Sequence, residues 1–278
     1  MYKLGSSDRD DLPLAVVIGA GTMGMAVARR LAQRNRVLLA DLREDHAAAQ
    51  AAAMREEGCD VRACRCDVTS VESVAALAAR VGELGGLGTL AHVAGLSPSL
   101  GDYSTIVTVN LTGVALVAEA LLRYARAGSA AVLFASLAAH NFRPSDAAIA
   151  VLHDPAAPDL AGRLAAIIGG ENATSQMAYV YSKWGVIAYA RRQAKAWGAQ
   201  GARIVSLSPG LIATSQGALE FEKSPGKKAM YALTPLAREG TMLEIADAVE
   251  FLASERASFI SGTDLLVDGG LAGTMGRD

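Results

Sequence analysis

The stretch MAYVYSKWG, residues 177–185, holds two tyrosines and a lysine. A tyrosine with its ordinary pKa near 10 is a poor acid or base at neutral pH. A lysine cation a few ångströms away favours the phenolate and lowers that pKa, so the phenol can exchange a proton with an alcohol or a carbonyl. Helix geometry decides which tyrosine is served this way, because four residues advance about 400° and two about 200°. Tyr179 and Lys183 therefore share a face one turn apart. Tyr181 points away and reads as a packing or subunit-contact residue. A Tyr-x-x-x-Lys pair occurs by chance in many helices, so the chemistry needs partners elsewhere in the chain.

Glycines form a second constellation. Gly19, Gly21 and Gly24 take the G-x-G-x-x-G spacing between the apolar run LAVVIG and a helical stretch. That context suits a dinucleotide loop: glycine lets the backbone turn tightly against a pyrophosphate, and the helix N-terminus offers N–H donors and a positive dipole end. The second apolar run ends at Asp41, 17 residues beyond Gly24. A carboxylate there accepts both hydroxyls of an adenosine ribose and repels a 2′-phosphate, whereas Arg43 close by would greet one. The pattern favours NAD(H) and leaves NADP(H) possible. Asp67 and Val68 close the third run, a placement suited to the adenine edge; for Asp67, capping the next helix is an equal alternative.

Ser136 closes AVLFAS and Asn110 sits in VTVNLTG. With these two residues the chain resembles the short-chain dehydrogenase/reductase family over nearly its whole length. The resemblance implies an oxidoreductase that interconverts a secondary alcohol and a ketone or aldehyde. It assigns the proton transfer to Tyr179, a hydrogen bond to the reacting oxygen to Ser136, and support of Tyr179 and the nicotinamide ribose to Lys183. Asn110, through a main-chain kink and a water, would link the lysine to solvent. Thr22 and Met23 beside the loop glycines, and Ala94 and Gly95 after the fourth strand, would contact the cofactor. SLSPGLIAT (206–214) resembles the segment against the nicotinamide, with Pro209, Gly210, Ile212 and Thr214 as contacts. Two departures stand out. The family's T-G-x-x-x-G-x-G loop is replaced by G-A-G-T-M-G, with Met25 and no preceding threonine. The usual N-N-A-G reads His92-Val93-Ala94-Gly95, where His92 either supplies an asparagine's hydrogen bonds or is a buried histidine paired with backbone.

These residues must be carried by regular elements, and the sequence alternates strand and helix almost without pause. Strands are expected at 14–19, 36–41, 60–67, 88–95, 130–136, 202–209 and 263–269. Helices are expected at 22–34, 43–57, 70–84, 103–126, 177–198 and 242–253. Several strands are continuous apolar runs, which fits a parallel sheet covered on both faces. The fold class is α/β: a Rossmann-type doubly wound parallel sheet of about seven strands in a single domain over 13–278, after a flexible tail at 1–12. Ser136 and Tyr179 stand 43 positions apart, far more than most members of the family allow. The segment 138–176 is therefore read as an insertion carrying a short helix or two, since PDLAGRLAAIIGG has a helical apolar pattern. The same layout resembles bacterial hydroxysteroid dehydrogenase/carbonyl reductases within the family. It points to a steroid or other bulky apolar carbonyl compound as substrate, with the insertion as a substrate wall, an interface or a surface elaboration. A loop at about 214–232 reads as a second lid or a disordered segment.

Composition excludes other classes. A net charge of −2 gives no reason to expect nucleic acid or an anionic membrane. Cys59, Cys64 and Cys66 make an odd count without a CxxC pair, so no metal site is expected. Apolar runs interrupted by Gly and Arg argue against a membrane span, and the polar N-terminus against a targeting segment. A cytoplasmic homodimer or homotetramer acting on a small-molecule alcohol or carbonyl is the expectation. Rivals are a ketoacyl-type reductase using NADPH and a non-catalytic dinucleotide-binding regulator.

Overall fold

Seven short apolar runs form one all-parallel sheet in the order β3-β2-β1-β4-β5-β6-β7. The computed structural model describes residues 11–214 and 225–275. The expected tail, apart from residues 11 and 12, and residues 215–224 of the expected lid lie outside the described residues. The strands are β1 (Leu14–Ile18), β2 (Arg36–Asp41), β3 (Val61–Arg65), β4 (Leu87–His92), β5 (Ala125–Phe134), β6 (Arg203–Pro209) and β7 (Asp264–Val267). The strand order reverses between β1 and β4, which opens a crevice at the carboxyl ends of the strands, where doubly wound sheets bind ligands.

Strand alternation distributes the core to both faces of the sheet. Ala15, Val17, Leu39, Ala91 and Val132 pack against α1 (Thr22–Leu31), α2 (Glu44–Glu56) and the late helix α10 (Met242–Ala253). Val16, Ile18, Leu38, Leu90 and Leu133 pack against α3 (Val71–Glu83), α5 (Gly113–Leu122) and α8 (Ser175–Gly198). Both faces being covered explains why these strands read as unbroken apolar runs.

Two boundaries differ most from the sequence reading. β5 starts at Ala125 rather than 130, because Gly128 adopts φ +88° and the register with β4 shifts between Leu87 and Thr89. Ser129 stitches that irregularity by donating to the Leu87 carbonyl at 2.6 Å. The expected 103–126 helix ends at Leu122 and is α4 (Tyr103–Val107), a π-helical turn (Thr108–Thr112) and α5 in succession. By length and composition Tyr103–Leu122 is apolar enough to cross a membrane, contrary to the sequence reading. It is instead a core helix: Ile106, Val107, Leu111 and Leu121 are buried beneath the sheet and α8.

The insertion leaves β5 through a 3-10 turn (Leu137–Ala139) and forms α6 (Asp146–Leu152) and α7 (Leu160–Ile168). Ser145 caps α6, while Asp159 caps α7 and Gly169, at φ +85°, ends it. α7 packs on α4 and the π turn, and Phe142 meets Tyr181 of α8 edge-on, ring centroids 4.6 Å apart. Leu152, Leu160 and Leu164 join the core of that face, so the segment is built into the domain rather than draped on it. The helix Pro225–Leu233 (α9) occupies the second half of the expected lid, and a short α11 (Leu271–Thr274) ends the described chain.

Leu164 is fully buried within the insertion. Leu164→Ala should therefore lower stability by about 2–4 kcal/mol in a urea titration; a change under about 0.5 kcal/mol would mean that α7 folds apart from the domain.

Candidate active site

The glycine loop is shaped by contacts only glycine can make. Gly19 turns at φ +100°, and a Cβ there would lie 2.9 Å from the Ala94 nitrogen. A Cβ on Gly24 would sit 1.8 Å from the Gly19 carbonyl oxygen, so α1 can dock on the strand end only without a side chain. Gly21, by contrast, faces open space and is the N-cap of α1, with no side chain capping the helix. Thr22 and Met23 open α1 there. A helix N-terminus without a side-chain cap, with open space beside Gly21, suits a pyrophosphate, which is the fit a dinucleotide requires.

Asp41 braces this loop as well as facing it. Its Oδ2 accepts from the Ala20 N–H at 2.7 Å and its Oδ1 from the Arg43 N–H at 3.0 Å. An ionised carboxylate has about four acceptor positions, so two remain for ribose hydroxyls. His46 completes the clamp, its Nε2 lying 3.0 Å from the Ala20 carbonyl oxygen; no sequence motif pointed to it. Asp67 accepts from the backbone and hydroxyl of Thr69, and those bonds hold its carboxyl below the usual range. Its alternative role as the helix cap is corrected: Ser70 caps α3. Val68 is buried, packed so closely that a Cβ on Gly113 would come 2.7 Å from it.

Asn110, Ser136, Tyr179 and Lys183 come from the π turn, the turn that follows β5, and α8. Lys183 is buried, donates from Nζ to the Phe134 carbonyl at 2.9 Å, and lies 5.8 Å from the centroid of the Tyr179 ring. Burial pushes its pKa down to about 8. Asn110 sits mid-way along the π turn, the main-chain kink that the resemblance implied, and its side chain bonds both the N–H and the carbonyl of Leu96. Gly95 fits between these groups: a Cβ there would stand 3.2 Å from both Asn110 Oδ1 and Lys183 Nζ. Ser136 heads the 3-10 turn, which packs against α8, and its Oγ accepts the Ala138 N–H at 3.2 Å. Tyr179 is half-buried, whereas Tyr181 is buried against Phe142.

His92 departs from expectation. It is fully buried and neither ring nitrogen makes a hydrogen bond of good geometry, so it does not take over an asparagine's bonds. Burial, followed by the nearby Lys183 cation, pushes its pKa down to about 3, and the Gly113 backbone offsets only part of this. The imidazole is neutral at physiological pH. The stretch after β6 runs along the sheet end: Gly210 donates to the Val267 carbonyl at 2.9 Å, and Ile212 bridges to Gly240. Pro209 ends β6, and Thr214 is half-buried. Among the described residues no group of three His, Cys, Asp or Glu side chains could hold a metal ion.

A family model described as Enoyl-(Acyl carrier protein) reductase matches residues 19–153 and 163–272. A short-chain dehydrogenase/reductase of Alternaria brassicicola is 31% identical over 267 residues, 95% of this chain and 97% of that one. The chain belongs to the short-chain dehydrogenase/reductase family. D-threitol dehydrogenase of Mycolicibacterium smegmatis, 31% identical, matches over 94% of both chains. The 3-alpha-hydroxysteroid dehydrogenase/carbonyl reductase of Comamonas testosteroni is 29% identical over 66% of this chain and 71% of its own. The crystal structure of gox2181 superposes with a TM-score of 0.76 at 28% identity, covering 94% of this chain and 96% of that one. As a short-chain dehydrogenase/reductase the protein is an oxidoreductase of alcohols and carbonyl compounds, with a site for an NAD(P)(H) dinucleotide.

The buried ammonium gives this short-chain dehydrogenase/reductase a measurable signature. The unfolded chain keeps the Lys183 proton up to the ordinary value of 10.5, the folded chain only to about 8. Burial thus costs stability in full below pH 8, and the cost fades as pH rises toward 10.5. Wild type should gain on the order of 1–3 kcal/mol relative to Lys183→Met between pH 7 and 10, read from urea melts at each pH. A difference that stays flat would put the ammonium in solvent.

Proposed function

We propose that this protein interconverts a secondary alcohol and a ketone or aldehyde with NAD(H), Tyr179 exchanging the proton. The observation that carries the reading is the buried Lys183 ammonium, donating to the Phe134 carbonyl and set over the face of Tyr179, one helical turn away. In that position a cation favours the phenolate and tunes Tyr179 toward neutral pH. Ser136 accepts a backbone N–H and so keeps its own O–H proton for the substrate oxygen, where charge develops. Asn110 fastens the loop after β4 to the kinked helix, which keeps Gly95 against Lys183. When bound, the nicotinamide supplies or accepts the hydride; Gly19, Gly21, Thr22, Met23, Gly24, Ala94 and Gly95 would hold the dinucleotide, with Pro209, Gly210, Ile212 and Thr214 along its nicotinamide end.

NAD(H) is favoured over NADP(H) because both Asp41 oxygens are fixed by backbone N–H groups and cannot swing aside for a 2′-phosphate. The substrate is a bulky apolar carbonyl compound or alcohol, a steroid being the leading class. Support comes from the insertion, which begins two residues after Ser136 and ends three before Tyr179, and whose α7 packs on α4. The likeness to the Comamonas testosteroni enzyme agrees with a steroid, that to D-threitol dehydrogenase with a small polyol. A homodimer or homotetramer fits the half-exposed edge strand β7 and the fully exposed Phe259; sedimentation as a monomer would remove that part of the reading.

Tyr179→Phe should cut turnover by about 10³-fold or more while NADH affinity stays within a few-fold, measured by absorbance and by fluorescence titration. Retained turnover would sink the mechanism. Asp41→Ser should shift the ratio of kcat/KM for NADH over NADPH by about 10- to 100-fold toward NADPH; an unmoved ratio means that another residue reads the ribose. A panel of sterols, polyols, quinones and short ketones, run with both cofactors, ranks the substrate classes, and tight NADH binding with no oxidation or reduction across it would favour a regulator.

A further inference from the structure

One buried carboxylate links β7, β6 and the turn that follows β5. Asp264 of β7 has a side chain only 2% exposed. Its Oδ1 accepts from Ser206 Oγ at 2.5 Å and from Ser208 Oγ at 3.1 Å. Its Oδ2 lies 2.8 Å from His140 Nε2. With a carboxylate as acceptor, the imidazole carries its proton on Nε2 and donates it. Ser206 stands mid-way along β6 and Ser208 one residue before its end, and the strand runs directly into the Pro209–Thr214 segment. His140 stands four residues after Ser136 and closes the 3-10 turn that Ser136 opens, its own N–H donating to the Leu137 carbonyl at 2.9 Å.

We infer that His140 is a positioning residue for the reaction, holding the Ser136 turn in register with the Pro209–Thr214 segment through Asp264. The inference rests on the reading of Ser136 as the donor to the substrate oxygen. A single 3-10 turn has strained hydrogen bonds and little rigidity of its own. This one continues into the 138–176 insertion, whose helix α7 packs on α4 and the π turn and whose Phe142 meets α8. The imidazole therefore ties the turn to the sheet on the side the insertion does not brace. Asn141 adds a weaker contact in the same direction, from Nδ2 to the Met275 sulfur at 3.3 Å. Without the imidazole, Asp264 still has two serine donors and β6 stays joined to β7; the turn keeps the apolar contact of Leu137, which clusters with Leu211, Leu266 and Leu271, but loses the directional hydrogen bond that sets its register. The part that loosens is then Ser136, not the cofactor cradle on β1, β2 and β4. Tolerances for such groups are tight, since a displacement of about 1 Å costs on the order of 10²-fold in rate.

Wild type, His140→Ala, His140→Asn, His140→Gln and Tyr179→Phe are compared with one alcohol–ketone pair, and turnover is expressed per NADH-binding site counted by fluorescence titration. His140→Ala and His140→Asn, neither of which can reach Asp264, should bind NADH at full stoichiometry and similar affinity but lose about 10- to 100-fold in kcat per site. His140→Gln carries an amide N–H at the position of Nε2 and should recover most of that loss. A kcat per site within twofold of wild type in either short variant overturns the inference. So does a loss expressed only as fewer binding sites, which is the mark of a purely structural role. Tyr179→Phe separates the two layers: turnover retained there, or no turnover by wild type, removes the reading of the site and the positioning role with it. Turnover lost in Tyr179→Phe but kept in His140→Ala removes the positioning role alone.

Discussion

An ammonium ion taken out of water governs the arrangement of this site. Lys183 is buried at the end of the sheet with the Phe134 carbonyl as its bonded partner, and desolvation alone accounts for its lowered pKa. Burying such a charge costs several kcal/mol unless its surroundings are fixed and polar. The surroundings are fixed by three different elements: the end of β5, the loop after β4 and the kinked helix. Gly95 has no side chain because Lys183 Nζ and Asn110 Oδ1 occupy the space on either side of it. The π turn places Asn110 where its amide closes that loop by two bonds to Leu96. The same fixed ammonium lies over the ring of Tyr179.

The glycine loop is organised on a similar principle at the other end of the crevice. The Ala20 peptide is gripped on both sides, by Asp41 at its N–H and by His46 at its carbonyl. Gly24 lets α1 close onto Gly19, and the α1 end stays open to a ligand. Asp41 thus has a structural duty of its own, fixing the loop through the Ala20 and Arg43 N–H groups.

The insertion shows how much a long detour can be constrained by its ends. It leaves Ser136 through one 3-10 turn and returns to α8 through Thr174, which caps that helix, and Ser175, which donates to the Gly101 carbonyl at 3.1 Å. Between them its leucines enter the main core on the face that holds α4 and α8. Phe142 explains why Tyr181 never competes with Tyr179: its ring is covered from the insertion side.

Much of this was legible in the sequence because periodicity and spacing are local. Continuous apolar runs named a doubly covered parallel sheet, the four-residue step selected Tyr179 over Tyr181, and Asp159 with Gly169 bounded a helix inside the insertion. The glycine spacing marked a tight strand-to-helix turn for the same reason, since backbone torsions depend on neighbours in the chain. Other features depend on residues that meet only after folding. The bulge at Gly128 needs β4 beside it, Ser70 rather than Asp67 caps α3, and the helix that reads as a membrane span is buried under a sheet. The neutral state of His92 and the lowered pKa of Lys183 arise from desolvation, which no single stretch of sequence contains. The His46 clamp and the carboxylate joining His140, Ser206 and Ser208 bring together residues 26 and up to 124 positions apart. The sequence by itself determined which groups could do chemistry; only the tertiary structure decided which were dried, tethered and brought face to face, because burial and hydrogen-bond partners are properties of the packed chain.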